Sequence, residues 1–332
     1  MEIKDIIGLS QPLTKLIETL DVWAYRIYEP FHIKRIAYAE VEREKIIADA
    51  KIDKINKINK AFEENSSTIM KYVDKDTSIS NEFILKNTQK RIITQEISRT
   101  INIDNIVCKV IEELKNEKEV SKEPVNKDWI TRFFNISQDI SDEYLQELWA
   151  KILAGEIKQP NSFSLRTLDT LKNISYKEAK DFEKIAKLLF SSINYYFLHK
   201  NIDLLSKYGV KFVDILNISH AGLITLQDNI GLKCGKDFKI INKNLILIGN
   251  LKNPNLHDSI IEFFILTETG KELLKLINDT CSNDNFFIEC AKDIVKKHTQ
   301  FNFKLHKIIS VDEESNGVKY KYDINLLDDT NI

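Results

Sequence analysis

Six histidines (His32, His199, His220, His257, His298 and His306) and four cysteines (Cys108, Cys234, Cys281 and Cys290) are the side chains of this chain best suited to hold a soft metal or to act as a nucleophile. Both jobs need such groups gathered together. Zinc sites are spelt by short Cys or His spacings, and a thiol nucleophile needs a base beside it. Here the histidines are remote from one another and no CxxC pair occurs. The phosphate-loop, dinucleotide-glycine, G-x-S-x-G and H-E-x-x-H patterns are not found either, and nine glycines leave little material for a loop that cradles phosphate. A site assembled from distant segments stays open. The expectation is of no catalytic, metal-binding or cofactor-binding residue that the sequence can name, no cofactor, and a chain leaning away from an enzyme.

Two other groupings have spacing worth a reading. Glu156 and Arg166 flank a turn at Pro160, with Ser164 placed to cap the next helix, and could be a catalytic pair or simply an ion pair or cap that holds the turn. Arg91, Gln95, Arg99 and Asn102 fall at successive turns of one helical stretch. That row could contact phosphate, or pair with acids of the 33–60 segment and solvate a helix face. Trp129 and Trp149 are expected to be core aromatics.

The elements that must position these residues follow from hydrophobic spacing. Residues 1–20 carry an apolar stripe interrupted near Pro12, which predicts a packing helix, with peripheral membrane contact as the alternative. Residues 33–62 are rich in Ala, Glu, Lys and Ile and free of Gly and Pro, which predicts one long helix; a second is predicted over about 83–115. The charged segment around Pro124 separates these from a compact helical unit. In that unit Leu145, Leu148, Trp149, Ile152 and Leu153 line one face, Gly155 and Pro160 end or bend the helix, and Ser175 with Glu178 forms a capping box for a helix reaching about residue 198. Beyond residue 200 strand-like runs alternate with helices, and Asn316-Gly317 predicts a hairpin turn. The expected domains are 1–115 for assembly, a linker at 116–125, a central helical domain at 126–198 and a winged-helix-like domain at 199–332. The expected fold class is mainly α, with long N-terminal helices and a central bundle followed by a smaller α+β domain.

Composition narrows the partners. Lys+Arg 48 against Asp+Glu 50 leaves a net charge of -2, so no global basic field holds nucleic acid or an anionic membrane. None of the seven arginines lies beyond Arg166. Arginine is the commonest reader of guanine, so DNA reading by the C-terminal region is disfavoured while lysine contact to phosphate is not. The longest apolar runs, such as LILI at 245–248, are far too short to span a bilayer. With no leader pattern and no paired cysteines, the expected location is cytoplasmic.

The middle of the chain resembles a bacterial family, domain-of-unknown-function family 2806. The words that carry the likeness are Asp128-Trp129, then Asp142-Glu143-x-x-Gln146-x-Leu148-Trp149-Ala150-x-Ile152-Leu153-Ala154-Gly155-Glu156, Pro160-x-Ser162-Phe163-Ser164-x-Arg166-Thr167-Leu168, and Leu171-x-x-Ile174-Ser175-x-x-Glu178-Ala179. Shorter matches extend to Pro30-x-x-Ile33-x-Arg35-x-Ala37, to Gln95-x-x-x-Arg99-x-x-Asn102-Ile103 and to Leu266-Thr267-x-x-Gly270. A fainter similarity links the helix and turn at 145–168 to abortive-infection protein alpha, a phage-exclusion family. These resemblances imply a bacterial helical protein with an association to phage defence, and they supply no catalytic residue. The expected function is a non-enzymatic interaction protein with a protein partner or self-association. The alternatives are a DNA-binding regulator using the C-terminal region and a nuclease or toxin.

Overall fold

In the computed structural model the described residues are 10–24, 78–227, 230–253, 259–277, 280–314 and 317–325. The helix predicted over 33–62 lies outside them. The chain forms two compact units, Met1–Leu165 and Arg166–Ile332.

The first unit is built from helices α1 (Gln11–Ala24), α2 (Ser78–Leu114), α3 (Lys127–Ser137) and α4 (Glu143–Lys158). Pro12 sits in the first turn of α1, where its missing N–H costs no hydrogen bond. Leu16, Ile17 and Leu20 are buried, so this apolar stripe is spent on the core of the unit. The long helix α2 buries Ile103, Ile106, Val107, Val110 and Leu114, a stripe at helical spacing that packs mainly on α4. Asn126 caps α3 by accepting from the Asp128 and Trp129 N–H groups, and Asp142 caps α4 by accepting from Leu145 N–H. Asp128 and Glu143 in the first turns of these helices favour the helix dipole. Charged residues 116–125 are tied into this unit. Lys158 bridges Glu117 at 2.6 Å, and the buried Lys15 donates to the Ser121 carbonyl at 2.6 Å.

The second unit opens with α5 (Leu165–Asn173) and α6 (Tyr176–Lys187), the latter started by the expected Ser175–Glu178 capping box. Then come β1 (Phe190–Ser192), β2 (Tyr195–His199), α7 (Ile202–Lys207), α8 (Phe212–His220), β3 (Ile224–Thr225), β4 (Gly231–Cys234), β5 (Asp237–Ile241), β6 (Leu245–Leu251) and β7 (Ser259–Leu266). The unit continues with α9 (Glu268–Leu274), α10 (Asp284–Lys297), β8 (Phe301–Glu314) and β9 (Gly317–Asn325). The strands form one nine-stranded antiparallel sheet in the order β3-β7-β2-β1-β5-β6-β8-β9, with β4 also on β7. Its aromatic centre is Phe190, whose ring meets Phe263 at 5.0 Å and Phe287 of α10 at 5.9 Å.

This sheet overturns the mainly α expectation: the fold is α+β. The physical reason is visible at residues 188–199, expected to continue a helix. That run is apolar at both the helical and the strand period, and its turn, Ile193-Asn194, has no glycine to announce it. Ile193 nevertheless takes φ 56°, and β1 folds back onto β2 with Ser192 opposite Tyr195. The hairpin expected at Asn316-Gly317 is present as β8 and β9, with Glu314 opposite Gly317.

The step Leu266-Thr267-x-x-Gly270 has a local cause. Thr267 caps α9 by accepting from Gly270 N–H, and its hydroxyl donates to the Gly222 carbonyl at 2.6 Å. A Cβ on residue 270 would meet the Leu223 carbonyl oxygen at 2.2 Å, so glycine is the residue that lets helix and strand approach.

Candidate functional site

The residues that carried the family likeness converge on the turn after α4. Gln159 ends the helix, Pro160 is buried, and Asn161 takes the left-handed φ of 68°. That sequence of conformations points three backbone N–H groups inward. Glu156, 1% exposed, fills the concavity: its carboxylate accepts from Asn161 N–H at 2.6 Å, Ser162 N–H at 3.0 Å and Phe163 N–H at 3.1 Å. A side-chain carboxylate here does what a bound anion does in an open nest of amides. Ser162 Oγ donates to the Gln159 carbonyl, and the indole N–H of buried Trp129 donates to the Phe163 carbonyl at 2.8 Å.

Behind the turn stands an aromatic stack. Trp129 lies parallel to Phe133 at 5.3 Å, and Phe133 meets Trp149 edge-on at 5.2 Å. Both tryptophans are buried, Trp149 completely, as expected of core aromatics. Gly155, expected to end α4, lies inside it and instead makes room for the Phe163 ring. The chemistry of this arrangement is structural: Glu156 serves as the acceptor for the turn, and its burial keeps its oxygens from solvent. Ser164 is exposed just before α5, and Arg166 is exposed within it.

The α2 row divides in two. Arg99 is taken by carboxylates, with Nε and Nη2 on Asp139 at 2.7 and 3.2 Å and Nη1 on Glu96 at 2.9 Å. These hydrogen bonds, to Asp139 first, hold the guanidinium pKa above its usual value. Asn102 donates to the Gln138 carbonyl and accepts from Gln146. One turn further toward the start of α2, Arg91 and Gln95 are exposed and line an open cavity of about 480 Å³ with Asn87, Lys90, Thr94 and Ser98.

A polar cluster that sequence spacing did not announce lies in the second unit. His199 is buried; its Nδ1 accepts from Asn201 N–H at 3.0 Å, which leaves the proton on Nε2, 3.2 Å from Asp293 Oδ2. Lys297 reaches the same carboxylate oxygen at 2.8 Å. Burial pushes the His199 pKa down to about 4, against the pull of Asp293. Burial also opposes ionisation of Asp293, but the Lys297 hydrogen bond and the charges of His199 and Lys297 outweigh it and hold that carboxyl below its usual range. The separation of 94 positions along the chain hides the pair from any local motif. The thiols of Cys234 and Cys281 are pushed up to about 12 by burial, and that of Cys290 well upward. Such thiols are poor nucleophiles. Among the described residues no group of three His, Cys, Asp or Glu side chains is placed to hold a metal, and no helix is long and apolar enough to cross a membrane.

A family model described as protein of unknown function (DUF2806) matches residues 86–292. The chain belongs to this family. In this DUF2806 protein the matched span runs from α2, through the Glu156 turn and most of the sheet, into α10, and it ends before β8 and β9. No curated protein and no solved structure matches the chain.

Proposed function

We propose that this DUF2806 protein works by binding another protein, and that the start of α8 is the contact. The observation that carries this reading is the pair Phe212 and Val213, each 50% exposed at the first turn of that helix. Adjacent exposed apolar side chains offer surface that a protein partner can bury. Their setting supports the choice. Strand β2 is followed by α7, α8 and β3, and β3 pairs β7, which in turn pairs β2; this is the order of a winged helix, in which the helix at the place of α8 makes the principal contact.

A helix that reads DNA from this position presents basic and amide side chains to phosphates and base edges. This one presents Phe212 and Val213, with Asp214 in its first turn and Lys211 before it. That favours a protein partner over a duplex. The 30–115 segment serves assembly in this reading, with the 126–198 segment as hub. The biological setting we propose is bacterial phage defence in the cytoplasm, on the sequence likeness alone.

The test is co-purification of the tagged chain from a bacterial host, with the wild type beside a Phe212→Ser, Val213→Ser double variant. A stoichiometric protein partner lost from the variant, with thermal melting unchanged, is the expected result. Retention on duplex DNA that weakens steeply with salt and is equal in both proteins overturns it in favour of a DNA-binding regulator.

A further inference from the structure

The open cavity of about 480 Å³ on α2 is lined by Asn87, Lys90, Arg91, Thr94, Gln95 and Ser98, and the contact proposed at α8 makes no use of it. Steps of three and four residues put all six on one stripe of the helix, about three turns long. None of the six is a carboxylate or a hydrocarbon side chain. The hydroxyls of Thr94 and Ser98 donate back into the helix, to the Lys90 carbonyl at 2.9 Å and the Thr94 carbonyl at 3.0 Å. Asn87, Lys90, Arg91 and Gln95 are exposed, and among the described residues nothing pairs with their N–H groups. Other cations of the same unit are taken: Arg99 lies on Asp139 and Glu96, Lys109 on Glu143 and Glu147, and Lys158 on Glu117. In a chain whose acids outnumber its bases, two adjacent cations that no carboxylate neutralises make a local positive potential.

We propose that this cavity binds a phosphate-bearing small molecule of about the size of a nucleotide. The donors select the chemistry. A guanidinium offers a planar fork of N–H groups that matches two oxygens of one phosphate, and a lysine adds a compact charge beside it. The amides of Asn87 and Gln95 stand one turn to either side of Arg91, where they can donate to further phosphate oxygens or meet a polar group beyond them. Dimensions select a small ligand. The volume falls within the roughly 300–1,000 Å³ of small-molecule sites. Toward the middle of α2 the positive stretch ends at once, because Glu96 and Asp139 gather around Arg99 and repel a phosphate chain that continues along the helix. A nucleic-acid backbone needs a longer basic track.

The experiment is titration calorimetry of the whole chain with inorganic pyrophosphate, with ATP and with a duplex DNA oligonucleotide. The proteins are the wild type, Lys90→Gln, Arg91→Gln and, as a charge-matched control, Arg132→Gln at an exposed position of α3. Pyrophosphate and ATP are expected to bind the wild type and the control equally, and Lys90→Gln and Arg91→Gln each to weaken both by about tenfold or more. Tighter binding of ATP than of pyrophosphate identifies a nucleotide as the source of the phosphate, and equal binding identifies the phosphate group alone. No binding of either probe overturns the proposal. So does binding of the same strength in Arg91→Gln and Arg132→Gln, which would mean unselective attraction to charge. Binding of the duplex alone overturns it in favour of a nucleic-acid contact.

Discussion

The ring of Phe163 lies against the bare backbone of Gly155, so closely that a Cβ there would meet its Cε2 carbon at 2.7 Å. Gly155 is in the last turn but one of α4, where alanine would add about 1 kcal/mol of helix propensity. Gly155→Ala is nevertheless expected to destabilise, by a net ~1–2 kcal/mol, because the ring is also pinned through its own backbone: its N–H on Glu156 and its carbonyl on Trp129. Urea denaturation decides the sign. A stabilised variant would show that the ring can swing away freely.

Glu156 accepts from three backbone N–H groups of the turn. Glu156→Ala is expected to cost about 3–4 kcal/mol, and Glu156→Gln about 2, since the amide keeps one acceptor oxygen and sets an NH₂ against the remaining donors. The ordering of the two variants in chemical denaturation is the informative result. Equal losses would mean that packing, and not the acceptor oxygens, holds the turn.

Ile193 sits at the tip of the β1–β2 turn with φ 56° and is 86% exposed. A β-branched residue in the left-handed region costs about 1–2 kcal/mol relative to one that tolerates it. Ile193→Asn should therefore stabilise by roughly 1 kcal/mol and raise the melting temperature, as the isoleucine gives up almost no burial. A lower melting temperature would locate an unrecognised contact at the tip.

The His199–Asp293 pair predicts acid sensitivity, and the groups around it set the window. In the folded chain His199 is neutral, because burial places its pKa near 4 against 6.5 for the ordinary side chain. The unfolded chain binds the proton first. The stabilisation is present above about pH 6.5 and is lost as pH falls toward 4. Asp293, held below 3.8, adds a further loss in more acid solution. His298, also lowered by burial and by Lys297, acts in the same direction as His199. His199→Gln is expected to flatten the fall in melting temperature between about pH 7 and pH 5. An equal fall in both proteins would assign the acid sensitivity to other groups.

Much of the local architecture was legible because local chemistry decides it. The Ser175–Glu178 box, the Asn316-Gly317 hairpin and the apolar face of α4 depend on residues within a few positions of one another. The likeness words around Trp149 and Pro160 were visible too, but their purpose was not. Gly155 reads as a helix end until Phe163 is seen over it, and no spacing in the sequence tells that Glu156 accepts from three backbone N–H groups of the turn.

By itself the sequence determined which segments are amphipathic, where most turns fall, and that no charge field or short-range motif dictates a chemistry, because those properties are carried by neighbours along the chain. The tertiary structure alone decided that β1 and β2 leave the helical pattern, that His199 meets Asp293, and that β9 ends the sheet. Each depends on pairings between residues distant in the chain, where burial and strand register outweigh local preference.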